Sequence, residues 1–153
     1  METIMLQIMK NKQIREIFKK IEDQFSCGIK GEYLFFISNK NKVYVISQDY
    51  RDHDFSKLRV NNKGSYFGAI EDDSSFRLSI EGSELLDNPQ KNVLELDDEE
   101  FQAYMAGENL RLNNEGKGIQ VIKYKNHFVG TGKLSNNTLF NFIPKSRRGK
   151  EKI

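Results

Sequence analysis

Basic and aromatic side chains alternate along residues 116–153, the last quarter of this 153-residue chain. Lysine and arginine bind phosphate oxygens, and exposed aromatic rings stack on unpaired bases. The basic candidates, in or just after predicted strands, are Lys123, Lys125, Lys133, Lys145, Arg147, Arg148 and Lys150. The aromatic residues between them are Tyr124, Phe128, Phe140 and Phe142, and we expect most to be buried, Phe128 and Phe142 especially. The lysines and arginines are therefore the better candidates for contact with a polyanion.

The net charge of +2 conceals a strong segregation of charge along the chain. Residues 1–70 carry 12 basic and 8 acidic side chains, residues 71–115 carry 3 and 13, and residues 116–153 carry 9 and 1. The three balances are therefore +4, −10 and +8. A block of +8 indicates a phosphate-binding surface, although a lysine-rich tail can also serve only to keep a protein soluble.

Residues that could perform catalysis are few. The histidines are His53 and His127 and the one cysteine is Cys27, so there is no local Cys–His signature and no cysteine zinc site. Residues 130–133 (GTGK) lack the spacing of a phosphate-binding loop. Residues 52–54 (DHD) would alternate between faces in a strand, which favours a solvated loop over a metal site. We expect a binding protein that is not an enzyme and uses no metal and no cofactor.

The composition fits one ordinary domain or two small ones. Hydrophobic residues make up 37% and aromatic residues 11%, which suffices for a core and argues against full disorder. The longest apolar runs are far short of the roughly 18 residues that a membrane-spanning helix needs. No secretory signal is visible at the N-terminus, and we expect a cytoplasmic protein.

The first half of the chain predicts one amphipathic helix and two hairpins. Apolar residues at helical spacing predict a helix over residues 14–25, with Gly28 as its stop. The predicted strands are 32–38 and 42–47, joined at 39–41, and 65–70 and 76–80, joined by an acidic turn at 71–75. Residues 48–63 form a predicted polar loop, and a short helix over 81–86 precedes a domain boundary at residue 88.

The second half predicts a capped helix among strands. Residues 92–96 form a strand, after which Asp97 caps a helix with Glu100 in the third position; Phe101, Tyr104 and Met105 give its apolar face and Gly107 its stop. This capping accounts for much of the acidic block without a metal ion. Further strands are predicted at 118–125, 127–134 and 138–143, with a tight turn at Asn126. The glycines at 130 and 132 indicate a bend or a close approach of another backbone.

The second half resembles the PUA domain, a small RNA-binding pseudo-barrel. The resemblance rests on residues 93–97 (VLELD) before the acidic-capped helix that ends at 107–110 (GENL), on 118–122 (GIQVI) and on 128–133 (FVGTGK). It implies an α+β chain with two domains. A pre-PUA-like α/β domain with an antiparallel sheet would occupy residues 1–88, and a β-rich PUA-like domain with a basic tail would occupy residues 89–153.

The first half resembles the pre-PUA domain of the Nip-seven family, ribosome-biogenesis factors of archaea and eukaryotes. That resemblance rests on the helix followed by 42–47 (KVYVIS), 66–68 (YFG) and 76–80 (FRLSI). It implies a non-catalytic RNA-binding protein, cytoplasmic or nucleolar, that assists ribosomal RNA maturation and large-subunit biogenesis. The ending, 139–148 (LFNFIPKSRR), resembles instead the PUA-like domain associated with Nop/Sun-type RNA cytosine-5 methyltransferases. The alternative it implies is an RNA-targeting or adaptor subunit for such a methyltransferase, acting on rRNA or tRNA.

Either resemblance implies RNA, most of all ribosomal RNA, as a partner, with an RNA methyltransferase or a pre-ribosomal protein as a second one. A docked protein would need an exposed apolar patch larger than a monomer normally tolerates. The residues at which such a patch is expected are Tyr33, Phe35, Tyr44 and Tyr66.

Overall fold

Two five-stranded sheets, each with helices packed against it, make up the computed structural model, which describes residues 6–47 and 65–143. In chain order the elements are β1 (Leu6–Ile8), α1 (Asn11–Phe25), β2 (Tyr33–Ser38), β3 (Lys42–Ser47), β4 (Ser65–Ile70), β5 (Phe76–Leu78), α2 (Ile80–Glu84), β6 (Val93–Glu95), α3 (Asp98–Met105), β7 (Leu110–Arg111), β8 (Gly118–Tyr124), β9 (His127–Ser135) and β10 (Thr138–Asn141). The fold is α+β, as the sequence predicts. No helix within the described ranges is long and apolar enough to cross a membrane.

The first sheet has the order β1-β2-β3-β4-β5 and is antiparallel throughout. Helix α1 covers it with Ile17, Ile21 and Phe25, all buried, which confirms these three positions of the predicted apolar face. Phe18, expected on the same face, is 38% exposed. The predicted stop at Gly28 is wrong by two residues, because Ser26 adopts the left-handed conformation (φ 54°) and ends the helix itself. Strand β1 was not predicted, since three residues are too few to establish an alternation.

Both predicted hairpins of this sheet are present, and left-handed residues close their turns. Asn41 (φ 60°) lies in the first turn and Ser74 (φ 71°) in the acidic one. The second hairpin ends earlier than expected because Ser79 leaves the strand and caps α2, its hydroxyl accepting from the Gly82 amide at 2.8 Å. Helix α2 therefore spans Ile80–Glu84 rather than the predicted 81–86.

The second sheet has the order β6-β8-β9-β10-β7, with β6 and β8 parallel and the other pairs antiparallel. Helix α3 starts with the predicted capping box, in which Asp97 accepts from the Glu100 amide at 2.8 Å and Glu100 accepts from the Asp97 amide at 2.9 Å. The predicted stop also holds, because Gly107 follows the helix with φ 91°. The two-residue strand β7 was not predicted.

The two sheets pack against one another through β8 and β9. Val121 of β8 belongs to the core beneath the first sheet, whereas its neighbour Ile122 belongs to the core around α3. Both faces of β8 are therefore covered, which explains why its sequence alternates poorly. The Thr131 hydroxyl of β9 is buried and donates to the Leu78 carbonyl at 2.9 Å, tying the sheets together. The predicted domain boundary at 88/89 falls between the two sheets in sequence and stays a prediction.

Candidate nucleic-acid interface

The β8–β9 hairpin carries the three predicted basic residues that the structure describes. Its turn is formed by Lys125 (φ 46°) and Asn126 (φ 70°), the left-handed pair that a tight two-residue hairpin turn needs. Lys123 stands opposite Phe128 just before the turn, and Lys125 lies in the turn itself. Lys133 lies six residues beyond His127, which is about 20 Å along an extended strand. The candidate lysines are therefore divided between two places, the turn end and the far end of the hairpin.

At the turn end, Lys125 is engaged in a local cluster. Its ammonium lies 3.7 Å from an Asp98 carboxylate oxygen and 5.2 Å from the Tyr124 ring centroid. The Tyr124 hydroxyl donates to Asp98 at 2.7 Å, and its ring stacks on Phe101 at 3.8 Å. The hydrogen bond from the Tyr124 hydroxyl lowers the pKa of Asp98, and the positive charge of Lys125 lowers it further. Tyr124 and Asp98 in turn raise the pKa of Lys125. Lys125 is thus held against Asp98, the first residue of α3, in a cluster that we call the cap over α3.

At the far end, three strands bring a row of side chains together. Lys133 of β9 stands opposite Ile119 of β8 on one side and Phe140 of β10 on the other. Lys133 is exposed, and Phe140 is 42% exposed. Lys117, just before β8, is also exposed. This end therefore presents two cations and an aromatic ring to solvent.

A cleft of about 640 Å³ adjoins this row, between the second sheet and the β4–β5 turn. Its lining residues are Asp23, Gln24, Glu71, Asp72, Asp73, Ser75, Arg77, Asn92, Lys117, Gly118, Ile119, Lys133 and Phe142. Arg77 is held in place because its Nε donates to Glu71 at 2.9 Å and its guanidinium lies 4.9 Å from the Phe142 ring centroid. Phe140 of β10 is not a lining residue, but it stands opposite the lining residue Lys133. We call the cleft together with Phe140 the intersheet cleft.

The sequence pattern misses part of this cleft. Arg77 lies in the acidic block and Lys117 in a loop, so neither belongs to an alternating basic stretch. The expectation that most of the four aromatic residues are buried, Phe128 and Phe142 especially, is wrong, because Phe128, Phe142 and Tyr124 are half-buried and Phe140 is exposed. The remaining predicted contacts, Lys145, Arg147, Arg148 and Lys150, lie outside the described residues.

The two glycines of β9 have a structural role. A side chain at Gly130 would meet the Tyr104 hydroxyl at 2.9 Å, and one at Gly132 would meet the Phe140 carbonyl at 2.9 Å. The predicted close approach of another backbone is therefore confirmed at Gly132, whereas at Gly130 the close neighbour is a side chain. Within residues 6–47 and 65–143 no group of three or more potential ligands could hold a metal ion, and residues 52–54 lie outside those ranges.

The expected apolar docking patch of the first half is only partly exposed. Phe35 is 4% exposed and belongs to the core. Tyr33, Tyr44 and Tyr66 are half-buried, and burial raises the pKa of Tyr66. The Tyr44 and Tyr66 rings pack on each other with centroids 5.6 Å apart. Phe35 therefore cannot contribute to a docking surface.

Comparison with known proteins identifies the second sheet. Residues 91–149 match the family model described as the Methyltransferase RsmF PUA domain. The match begins just before β6 and covers α3 and the whole of the second sheet. This part of the chain is thus similar to a PUA domain, and the similarity suggests RNA binding. No curated protein matches the chain.

Proposed function

We propose that this chain is a non-catalytic RNA-binding protein that targets an RNA cytosine-5 methyltransferase to its substrate, ribosomal or transfer RNA. The observation that carries the proposal is the family match over residues 91–149, because the matched PUA domain is one of a methyltransferase. The exposed lysines at the far end of the β8–β9 hairpin supply groups for phosphate contact. Targeting requires that RNA be bound without being chemically changed, which suits a chain with no recognisable catalytic motif.

A second candidate is a factor of large ribosomal subunit biogenesis. The order of elements in the first half favours it, because an amphipathic helix and two hairpins precede the PUA-like domain as in the Nip-seven resemblance. Both candidates bind RNA through the same half of the chain. They differ in the RNA recognised and in the protein that accompanies it.

The RNA-binding part of the proposal is tested by titrating labelled ribosomal RNA fragments at several salt concentrations. Affinity should fall steeply as salt rises, because neutralised phosphates release counterions. Replacing Lys145, Arg147 and Arg148 together with glutamine should weaken binding to all fragments and flatten the salt slope. Absence of binding at micromolar protein, or binding that does not depend on salt, would contradict the proposal.

The two candidates are separated by crosslinking the protein to RNA in the cells that express it and sequencing the captured RNA. Recovery of methylated rRNA or tRNA segments, with a methyltransferase copurifying, supports the targeting role. A single accumulation on large-subunit ribosomal RNA without a methyltransferase supports the biogenesis role. Recovery of no enriched RNA would contradict both.

A further inference from the structure

The intersheet cleft combines the features of a site for an unpaired nucleotide. Ile119, Lys133 and Phe140 form one row across three strands, and directly opposed residues of neighbouring antiparallel strands project to the same face. Phe140 is one of three large hydrophobic side chains that are more than a third exposed within the described ranges. An exposed ring beside a lysine can stack on a base while the lysine contacts the adjacent phosphate.

The two lysines of the cleft are exposed, and the charge of Lys133 also acts on the opposite wall: hydrogen bonds from Ser75, and to a lesser degree Lys133, lower the pKa of Asp73. Among the described residues, neither Lys117 nor Lys133 has a carboxylate oxygen within 4.0 Å, in contrast to Lys125. Arg77 is not available in this way, because Glu71 and Phe142 hold its guanidinium. That pairing instead fixes the Phe142 ring at the wall of the cleft.

The opposite wall of the cleft is acidic. In the β4–β5 turn, the Asp73 carboxylate is occupied by Ser75, whose amide and hydroxyl donate to it at 3.0 Å and 2.5 Å. Asp72 is exposed and has no hydrogen-bond or ion-pair partner in the part of the chain that the structure describes. Phosphates would be repelled from this wall, so a strand in the cleft must direct its base edges toward Asp72. Carboxylate oxygens accept from exocyclic amino groups such as cytosine N4.

We propose that the intersheet cleft binds an unpaired RNA nucleotide whose base carries an exocyclic amino group. The base stacks on Phe140, its phosphates contact Lys117 and Lys133, and its amino group donates to Asp72. The volume of about 640 Å³ falls in the range of sites for small ligands. Duplex RNA is excluded from this mode, because both faces of its bases are already stacked. The inference rests on the proposed RNA-binding function and adds the kind of nucleotide recognised.

The test measures the fluorescence anisotropy of labelled RNA probes with the full chain. The probes are an oligocytidine, an oligouridine of equal length and a duplex of similar charge. Oligocytidine should bind about fivefold tighter than oligouridine, because uracil presents a carbonyl where cytosine presents the amino group. Phe140→Ala should weaken oligocytidine binding about fivefold or more. Ile8→Ala removes an even more exposed apolar side chain (61% exposed) from the first sheet and should change nothing.

Asp72→Asn tests the edge contact separately. It should abolish the preference for cytidine over uridine. Lys133→Gln should weaken the binding of both probes. Lys12→Gln, which changes an exposed lysine of α1, should weaken the binding of neither. Equal affinity for cytidine and uridine strands, or no effect of Phe140→Ala, would overturn the inference. If RNA fragments and duplex still bind in that case, the proposed function stands without it. If no probe or fragment binds, both fail.

Discussion

The two ends of the β8–β9 hairpin carry lysines that belong to the same sequence pattern but differ in their contacts. Lys125 at the turn is bound to Asp98 and packed on Tyr124. Lys133 at the far end has no carboxylate within 4.0 Å among the described residues and lies beside the exposed Phe140. The sequence makes the two residues equivalent candidates. The structure assigns one to the cap over α3 and leaves the other available for a ligand.

Gly130 lies between the two ends and gives the largest expected effect. Its φ is 124°, and a side chain added there would lie 2.9 Å from the Tyr104 hydroxyl, so backbone strain and overpacking combine. Gly130→Ala should lower the free energy of unfolding by about 3 kcal/mol. The matched control is Gly118→Ala, where φ is 89° but nothing lies within 4 Å, so only about 1 kcal/mol is expected. Urea denaturation measures both, and equal losses would contradict the contact with Tyr104.

Charge removal at the two ends should affect RNA binding unequally. Lys117→Gln with Lys133→Gln should weaken binding to RNA fragments about tenfold at low salt and reduce the salt slope by about two. Lys123→Gln with Lys125→Gln removes the same charge from the turn end and should weaken binding only about twofold. An equal loss of RNA affinity in the two double variants would contradict the proposed difference between the two ends.

Tyr104→Phe probes the contact that positions the middle of β9. The buried Tyr104 hydroxyl donates to the Thr131 carbonyl at 3.0 Å, so its loss should cost about 1 kcal/mol at neutral pH. Burial raises the pKa of Tyr104, which means that the unfolded chain releases this proton first. Stability is therefore full below pH about 10 and falls as the pH rises above it. The Tyr104→Phe variant should lose less stability than the parent chain between about pH 9 and pH 11 in denaturation measurements.

Asp98→Asn gives the smallest expected effect and tests the turn end. The Tyr124 hydroxyl and Lys125 lower the pKa of Asp98, so its stabilising contribution is present above the usual carboxyl pKa near 4. That contribution disappears as the pH falls through the lowered value. The melting temperature of the variant should be slightly lower than that of the parent chain at pH 7 and equal to it at strongly acidic pH. It also frees Lys125, so RNA affinity should rise by no more than about twofold.

Most of the elements follow from local patterns, and the misses have physical causes. The apolar spacing of α1, the capping box of Asp97 and Glu100 and the Asn-containing turns are each specified by neighbouring residues. Strands β1 and β7 depend on partners distant in sequence, with Leu6 pairing to Ser38 and Leu110 to Leu139, so their three and two residues carry no signal of their own.

The site was predicted less completely than the fold. The basic pattern identifies Lys133 as a candidate contact, but it cannot reveal that Arg77 and the β4–β5 turn, more than 50 positions earlier, form the other wall of the same cleft. It also places Phe142 in the core, whereas the arginine from the other sheet holds that ring at the wall of the cleft. A site between two sheets can be assigned only when the way in which the sheets pack together is known.

The central claim is that RNA lies at the far end of the hairpin, and ultraviolet crosslinking followed by tryptic peptide mass spectrometry tests it most directly. Cleavage after lysine separates the turn residues from a peptide of residues 134–145, which carries Phe140 and Phe142. We expect the nucleotide adduct on the 134–145 peptide and its loss in Phe140→Ala. An adduct confined to the turn-end residues Tyr124, His127 or Phe128 would contradict it.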